Sequence, residues 1–159
     1  MTDHGIELPA FRLHVVPAVL ALASPARQRD VWLQPEEFED LDYVVHVLFD
    51  DFCNADDPAP WLGKSLRTEQ EVELMKELGT VYSAVQESVG RRAPDQAYLD
   101  APGWGNVITV AAELAQVMVS NDLQAAHSPE GGVHWPGPQP PAARRGGGGS
   151  VQLTSKSTR

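Results

Sequence analysis

The stretch PEEFEDLDYVVHVLFDDFC, residues 35–53, decides the fold class. Pro35, Glu36 and Glu37 suit a helix N-terminus, where a proline wastes no N–H and carboxylates complement the positive dipole end. Phe38, Leu41, Val45, Leu48 and Phe52 then recur at spacings of three or four, with Val44 and Phe49 beside them. That is the one-face pattern of an amphipathic helix. The competing assignment is a strand over residues 43–49, since Val44, Val45 and Val47 are β-branched. The helical spacing outweighs it. A strand would change the fold class yet still put Asp42, His46 and Asp50 on one face.

Downstream, NADDPAPWLG at residues 54–63 is a proline-rich loop. Thr68 and Glu71 then form a capping-box pattern, in which hydroxyl and carboxylate each satisfy a free backbone N–H. Val72, Met75, Leu78, Tyr82, Val85 and Val89 give the helix over residues 68–90 its buried face, and Gly90 ends it. Gly79 inside that helix suggests the close approach of a neighbouring helix. A short helical turn is predicted at residues 96–99 and a last helix after Pro102, with Val107, Ile108, Ala111, Leu114, Ala115 and Met118 on its apolar face. Upstream, Pro9 opens a first helix with Phe11, Val15, Val19 and Leu22 at helical spacing and a kink expected at Pro17; a second turn follows at residues 25–33.

Four substantial helices with short connections predict an all-α, single-domain antiparallel bundle or orthogonal array, because each apolar stripe can be buried only against the others. The domain is placed at residues 8–122. Residues 123–159, where Pro and Gly dominate and apolar periodicity stops, are expected to form a disordered tail. The apolar interval 10–23 is interrupted by Arg12 and His14 and is shorter than the roughly 20 residues a membrane span needs. No membrane association is expected.

The chain has 159 residues and a formal charge of −10. Residues 1–122 carry 8 basic and 21 acidic side chains, so the folded part is more acidic than the whole. Between Glu36 and Asp57 stand nine acidic residues and no Lys or Arg: Glu36, Glu37, Glu39, Asp40, Asp42, Asp50, Asp51, Asp56 and Asp57. Such a field repels nucleic acid and attracts basic surfaces. The single Cys53 excludes an intrachain disulfide and thiolate clusters, and it fits a reducing, cytoplasmic setting.

No phosphate-binding glycine loop, nucleophile elbow, zinc-protease helix or EF-hand loop is present, and no cofactor is expected. Asp42, His46 and Asp50 are four apart and could form a carboxylate–histidine–carboxylate row. That row allows a metal-dependent hydrolase as an alternative, against the plainer assignment of a solvated helix flank. Cys53, beside Phe52 at a helix C-terminus, is a poor nucleophile because the negative dipole end disfavours its thiolate. The favoured expectation is electrostatic recognition of a basic protein partner, of immunity or inhibitor type. Glu36, Glu37, Glu39, Asp40, Asp42, Asp50 and Asp51 would steer the encounter while Trp61, Tyr43 or Trp32 supplies an apolar anchor. A homodimer along the helix at residues 68–90 is a further possibility.

The segments RQRDVWLQPEEFEDLDYVVHVLFDDFC (27–53) and VGRRAPDQAYLDAPGW (89–104) carry three landmarks. These are Val31 with Trp32, the acidic pair Asp50 and Asp51 closing an apolar helix, and Tyr98, Leu99 and Asp100 followed by Trp104. In them the chain resembles an uncharacterised family of small acidic actinobacterial proteins, over about residues 11–119. The resemblance implies a shared fold and no mechanism. It makes Asp50 and Asp51 candidates for a shared role, whereas His46 departs from the family pattern.

Overall fold

A computed structural model describes residues 2–128. It contains helices α1 (Pro9–Leu22), α2 (Pro25–Arg27), α3 (Leu41–His46), α4 (Glu69–Val89), α5 (Asp95–Leu99) and α6 (Trp104–His127). π-helical turns extend α2 through Gln28–Trp32 and α3 through Val47–Asp51. Among the described residues there is no strand, and the fold is all-α. The segment that competed for strand is therefore helical. Helix α6 runs five residues past Asp122, so 123–127 belong to the folded part. The rest of the expected tail, from 129 on, lies outside the described residues.

The N-terminal boundary of α3 differs from the sequence expectation. Pro35, Glu36 and Glu37 lie in a loop, and the helix begins only after Asp40, whose carboxylate accepts the Tyr43 N–H at 2.8 Å. Asp95, at the start of α5, accepts the Leu41 N–H at 3.1 Å. With both carboxylates on its free N–H groups the helix starts where its caps are, and a favourable dipole position for Glu36 and Glu37 does not extend it. Phe38 thus leaves the apolar stripe and is 84% exposed. The face that packs inward is Leu41, Val44, Val47 and Leu48.

Helix α6 lies between α1 and α4 and supplies the centre of the core. Its direction follows from contacts at its two ends. Near its C-terminal end, the Met118 carbonyl and the Asp122 carboxylate meet Arg12 from the first turn of α1. Arg12 in turn meets Glu71 from the first turn of α4, at 2.7 and 2.9 Å. At the other end, Trp104 donates its indole N–H to Gln28 Oε1 at 2.9 Å, while Gln28 donates to the Ala21 and Leu22 carbonyls that end α1. Helices α1 and α4 thus both run antiparallel to α6. An aromatic chain of Phe49, Tyr82, Tyr98, Trp104 and Trp32 fills this second end, with neighbouring ring centroids 5.3–6.5 Å apart.

Arg12 and Glu71 are almost wholly buried, and their charges are matched by further bonds. Arg12 also donates to the Ser65 carbonyl at 3.0 Å, and Glu71 accepts the Arg67 backbone N–H at 2.7 Å and the Asn121 amide at 2.9 Å. Burial works against the Arg12 charge, but the bond to Glu71 and the charges of Glu71 and Asp122 outweigh it and raise the guanidinium pKa. Only half of the expected capping box is made. Thr68 Oγ accepts the Glu71 N–H at 3.3 Å, while the Glu71 carboxylate is turned to Arg12 and to Arg67.

Gly79 does admit a close neighbour, but a loop and not a helix. A Cβ there would overlap the backbone carbonyl of Ala55, itself fully buried. Gly90 closes α4 at φ 94°, a conformation that side-chain-bearing residues rarely adopt. Every large apolar side chain of α4 is at least partly covered within the chain.

These contacts fix two stability outcomes, each readable from urea unfolding. Glu71→Gln, which leaves the buried Arg12 charge with Asp122 as its one remaining carboxylate, is expected to cost about 3 kcal/mol, while the exposed neighbour Glu73→Gln changes stability by no more than about 0.5 kcal/mol. Gly79→Ala is expected to destabilise by about 1–3 kcal/mol, the overlap with the Ala55 carbonyl outweighing the gain of about 1 kcal/mol in helix propensity.

Candidate protein-binding surface

The acidic segment separates into residues that hold the chain together and residues that face solvent. Glu39 is a latch. It accepts hydrogen bonds from the Arg27 guanidinium, at 3.0 Å for Nε, and from the Trp32 indole N–H at 2.9 Å, tying the loop after the π turn back onto α2. Those bonds, Arg27 foremost, hold the Glu39 carboxyl below its ordinary pKa. Asp40 is spent on the α3 cap. Glu36, Glu37, Asp42, Asp50 and Asp51 are exposed. Of the expected anchors, Trp32 is 4% exposed and bonded through its indole, so it cannot reach a partner. Trp61 lies half-buried in the turn Ala59–Trp61 against Phe11, with Lys64 6.0 Å from its ring centroid. Tyr43 is half-buried beneath Phe38, ring centroids 5.3 Å apart.

The aromatic that does stand free amid the acids is Phe38, which sequence spacing had assigned to the core. Between α1 and α3 runs a cleft of about 570 Å³ whose lining includes Leu13, Pro17, Leu20, Ala21, Tyr43 and Val44, with the Arg27–Glu39 ion pair among its walls. Helix α1 is apolar nearly all round: Val15, Ala18, Val19 and Leu22 face the core, while Leu13 and Leu20 remain 74% and 46% exposed. Leu13, Pro17, Leu20 and Ala21 at i, i+4, i+7 and i+8 are the sequence signal of this second apolar face.

His46 does sit between two carboxylates. Its Nδ1 lies 2.8 Å from Asp50 Oδ2 and its Nε2 3.6 Å from Asp42 Oδ2, on an exposed flank. The Asp50 hydrogen bond, with the Asp42 charge, raises the imidazole pKa. With a carboxylate facing each ring nitrogen, the row is built to hold an imidazolium. Among the described residues no group of three or more His, Cys, Asp or Glu side chains is arranged to hold a metal ion. Cys53 is buried, and desolvation pushes its thiol up to about 12, so no thiolate nucleophile forms there near neutral pH. No single helix among the described residues is long and apolar enough to cross a membrane.

Because the imidazolium is the form bonded to Asp50 and Asp42, any stability it adds is complete below about pH 6.5, the ordinary histidine value, and is lost as pH rises through the raised folded value. An NMR titration is expected to place His46 above that ordinary value and to bring it back towards it in Asp50→Asn.

No curated protein and no solved structure matches the chain. A protein family does: residues 6–126, from before α1 to the penultimate residue of α6, match the family described as "Domain of unknown function (DUF7945)". The chain belongs to the DUF7945 family.

Proposed function

We propose that this domain is a binding module that recognises a basic protein through its acidic surface, in the manner of an immunity or inhibitor protein neutralising a basic enzyme in a reducing cytoplasm. One observation carries it: in a run of nine acidic residues without a single Lys or Arg, Glu36, Glu37, Asp42, Asp50 and Asp51 are exposed, and so is the ring of Phe38, at 84%. Like charges gathered on one surface raise the on-rate for a basic partner, and an exposed aromatic beside them supplies the apolar contact that slows dissociation. The exposed acids make no bonds that the fold needs, apart from the surface contact of His46 with Asp50 and Asp42.

The test is capture of partners from an extract of the source cell at low and high salt, followed by affinity measurement with the purified partner. A basic protein is expected, bound more weakly as salt rises. The combined variant Asp42→Asn, Asp50→Asn, Asp51→Asn is expected to lower its affinity about tenfold or more, chiefly through the on-rate. Binding indifferent to both salt and this variant would overturn the proposal.

A further inference from the structure

The cleft between α1 and α3 is an apolar surface that the described residues leave uncovered. Leu13 and Leu20 are seven residues apart on α1, so the exposed stripe runs about 10 Å, roughly two helical turns. Phe38 extends it on the far side through its contact with Tyr43, which lines the cleft. A surface helix normally turns charged side chains to solvent on its outer face. Helix α1 has only Arg12 and His14 as ionisable residues, and Arg12 is buried against Glu71.

The polar groups around the cleft suit a protein segment better than a small polar ligand. Arg27 and Glu39 satisfy one another across its wall, Ser24 accepts the Arg27 backbone N–H, and His14 is stacked on Phe52 with ring centroids 4.1 Å apart; the remaining lining is aliphatic and aromatic. Such a site lacks the free convergent polar groups that orient small molecules. Among the described residues there is no sheet edge, so a partner cannot dock by strand addition. A helix brings its own backbone bonds already made and can lay an apolar stripe into the cleft.

Charge selects the flanks of that helix. Glu36 and Glu37 precede Phe38 in the exposed loop, Asp42 stands beside Tyr43, and the one guanidinium in the lining, Arg27, is neutralised by Glu39. A second copy of the chain, also at −10, would bring a like-charged surface towards these carboxylates. A basic flank meets those carboxylates instead.

We infer that the α1–α3 cleft receives an amphipathic helix of the partner, its apolar side chains over Leu13, Leu20 and Phe38 and its lysines or arginines against Glu36, Glu37 and Asp42. This rests on the basic-partner proposal and gives it a docking mode. The probes are a two- to three-turn helical peptide with leucines at helical spacing and lysines elsewhere, and a lysine peptide of equal charge without leucines. Both are titrated into the full chain while amide shifts are followed.

The leucine-bearing peptide is expected to shift residues of α1 and α3 around the cleft and to bind at least about tenfold more tightly, a factor that burial of one leucine can supply. Leu13→Asp with Leu20→Asp, at exposed positions that the fold does not use, is expected to abolish that advantage while the thermal melt stays unchanged. Equal, salt-sensitive binding of both peptides, or an advantage that survives the double variant, would overturn the docking mode while leaving acidic recognition standing. Binding of neither peptide would count against both. A solution mass of twice 17.3 kDa that returns to the monomer value in the double variant would assign the cleft to a second copy and overturn the inference.

Discussion

Arg12 is the residue on which the arrangement of the long helices depends. It sits in the first turn of α1 and reaches the first turn of α4 through Glu71 and the last turns of α6 through Met118 and Asp122. Hydrophobic burial is non-directional and would tolerate several ways of stacking three apolar stripes. A buried guanidinium is not tolerant, since every misalignment leaves a charge without partners, and that costs several kcal/mol. The cluster selects one register among those that burial allows. Arg67 strengthens it from the other side, donating to Asp122 at 2.6 Å through its side chain and to Glu71 through its backbone. The same demand explains the half-made capping box: Glu71 satisfies an N–H just before the helix, and the rest of its capacity goes to Arg12 and Asn121.

The opposite end of the bundle is fastened by different chemistry with the same logic. Gln28 is 1% exposed and uses its amide N–H groups on the carbonyls that α1 leaves free at its C-terminus. Its oxygen is left for the Trp104 indole at the first residue of α6. The π turn that carries Gln28 also carries Trp32, whose indole N–H reaches Glu39. With α1 pinned at both ends against α6, it has no freedom to roll its second apolar face inward. The exposure of Leu13 and Leu20 is thus a consequence of how the core is fastened.

Helix type and the order of elements were legible in the sequence, because apolar periodicity and terminal signals reported on the same boundaries. The segment from Thr68 to Gly90 is the clearest case, with cap, stripe and terminal glycine all present. Legibility ended where two local signals competed. Pro35, Glu36 and Glu37 look like a helix start, but Asp40 and Asp95 cap the chain at Leu41, and Asp95 arrives from a distant part of the sequence. Phe38 was misplaced with that boundary. The roles of Arg12 and Gln28 were illegible for the same reason, since each lone polar residue acquires its partners only when the helices meet. The cleft was not read from the sequence, although Leu13 and Leu20 lie at helical spacing on α1, because only the packed structure shows which apolar side chains stay outside.

Identical chemistry in one acidic run therefore meets two separate surroundings. Glu39 and Asp40 are fixed by bonds to Arg27, Trp32 and the Tyr43 N–H, and their charges are largely answered inside the fold. Glu36, Glu37 and Asp42 flank them in sequence and stay exposed. The latch is what makes this presentation possible, because a loop holding several carboxylates would otherwise repel itself away from the surface. Glu39 and Asp40, which directly follow Phe38, fix the backbone on its C-terminal side while its own ring is left to solvent. For the basic partner we propose, such preorganisation means that little further ordering of the chain is required on docking.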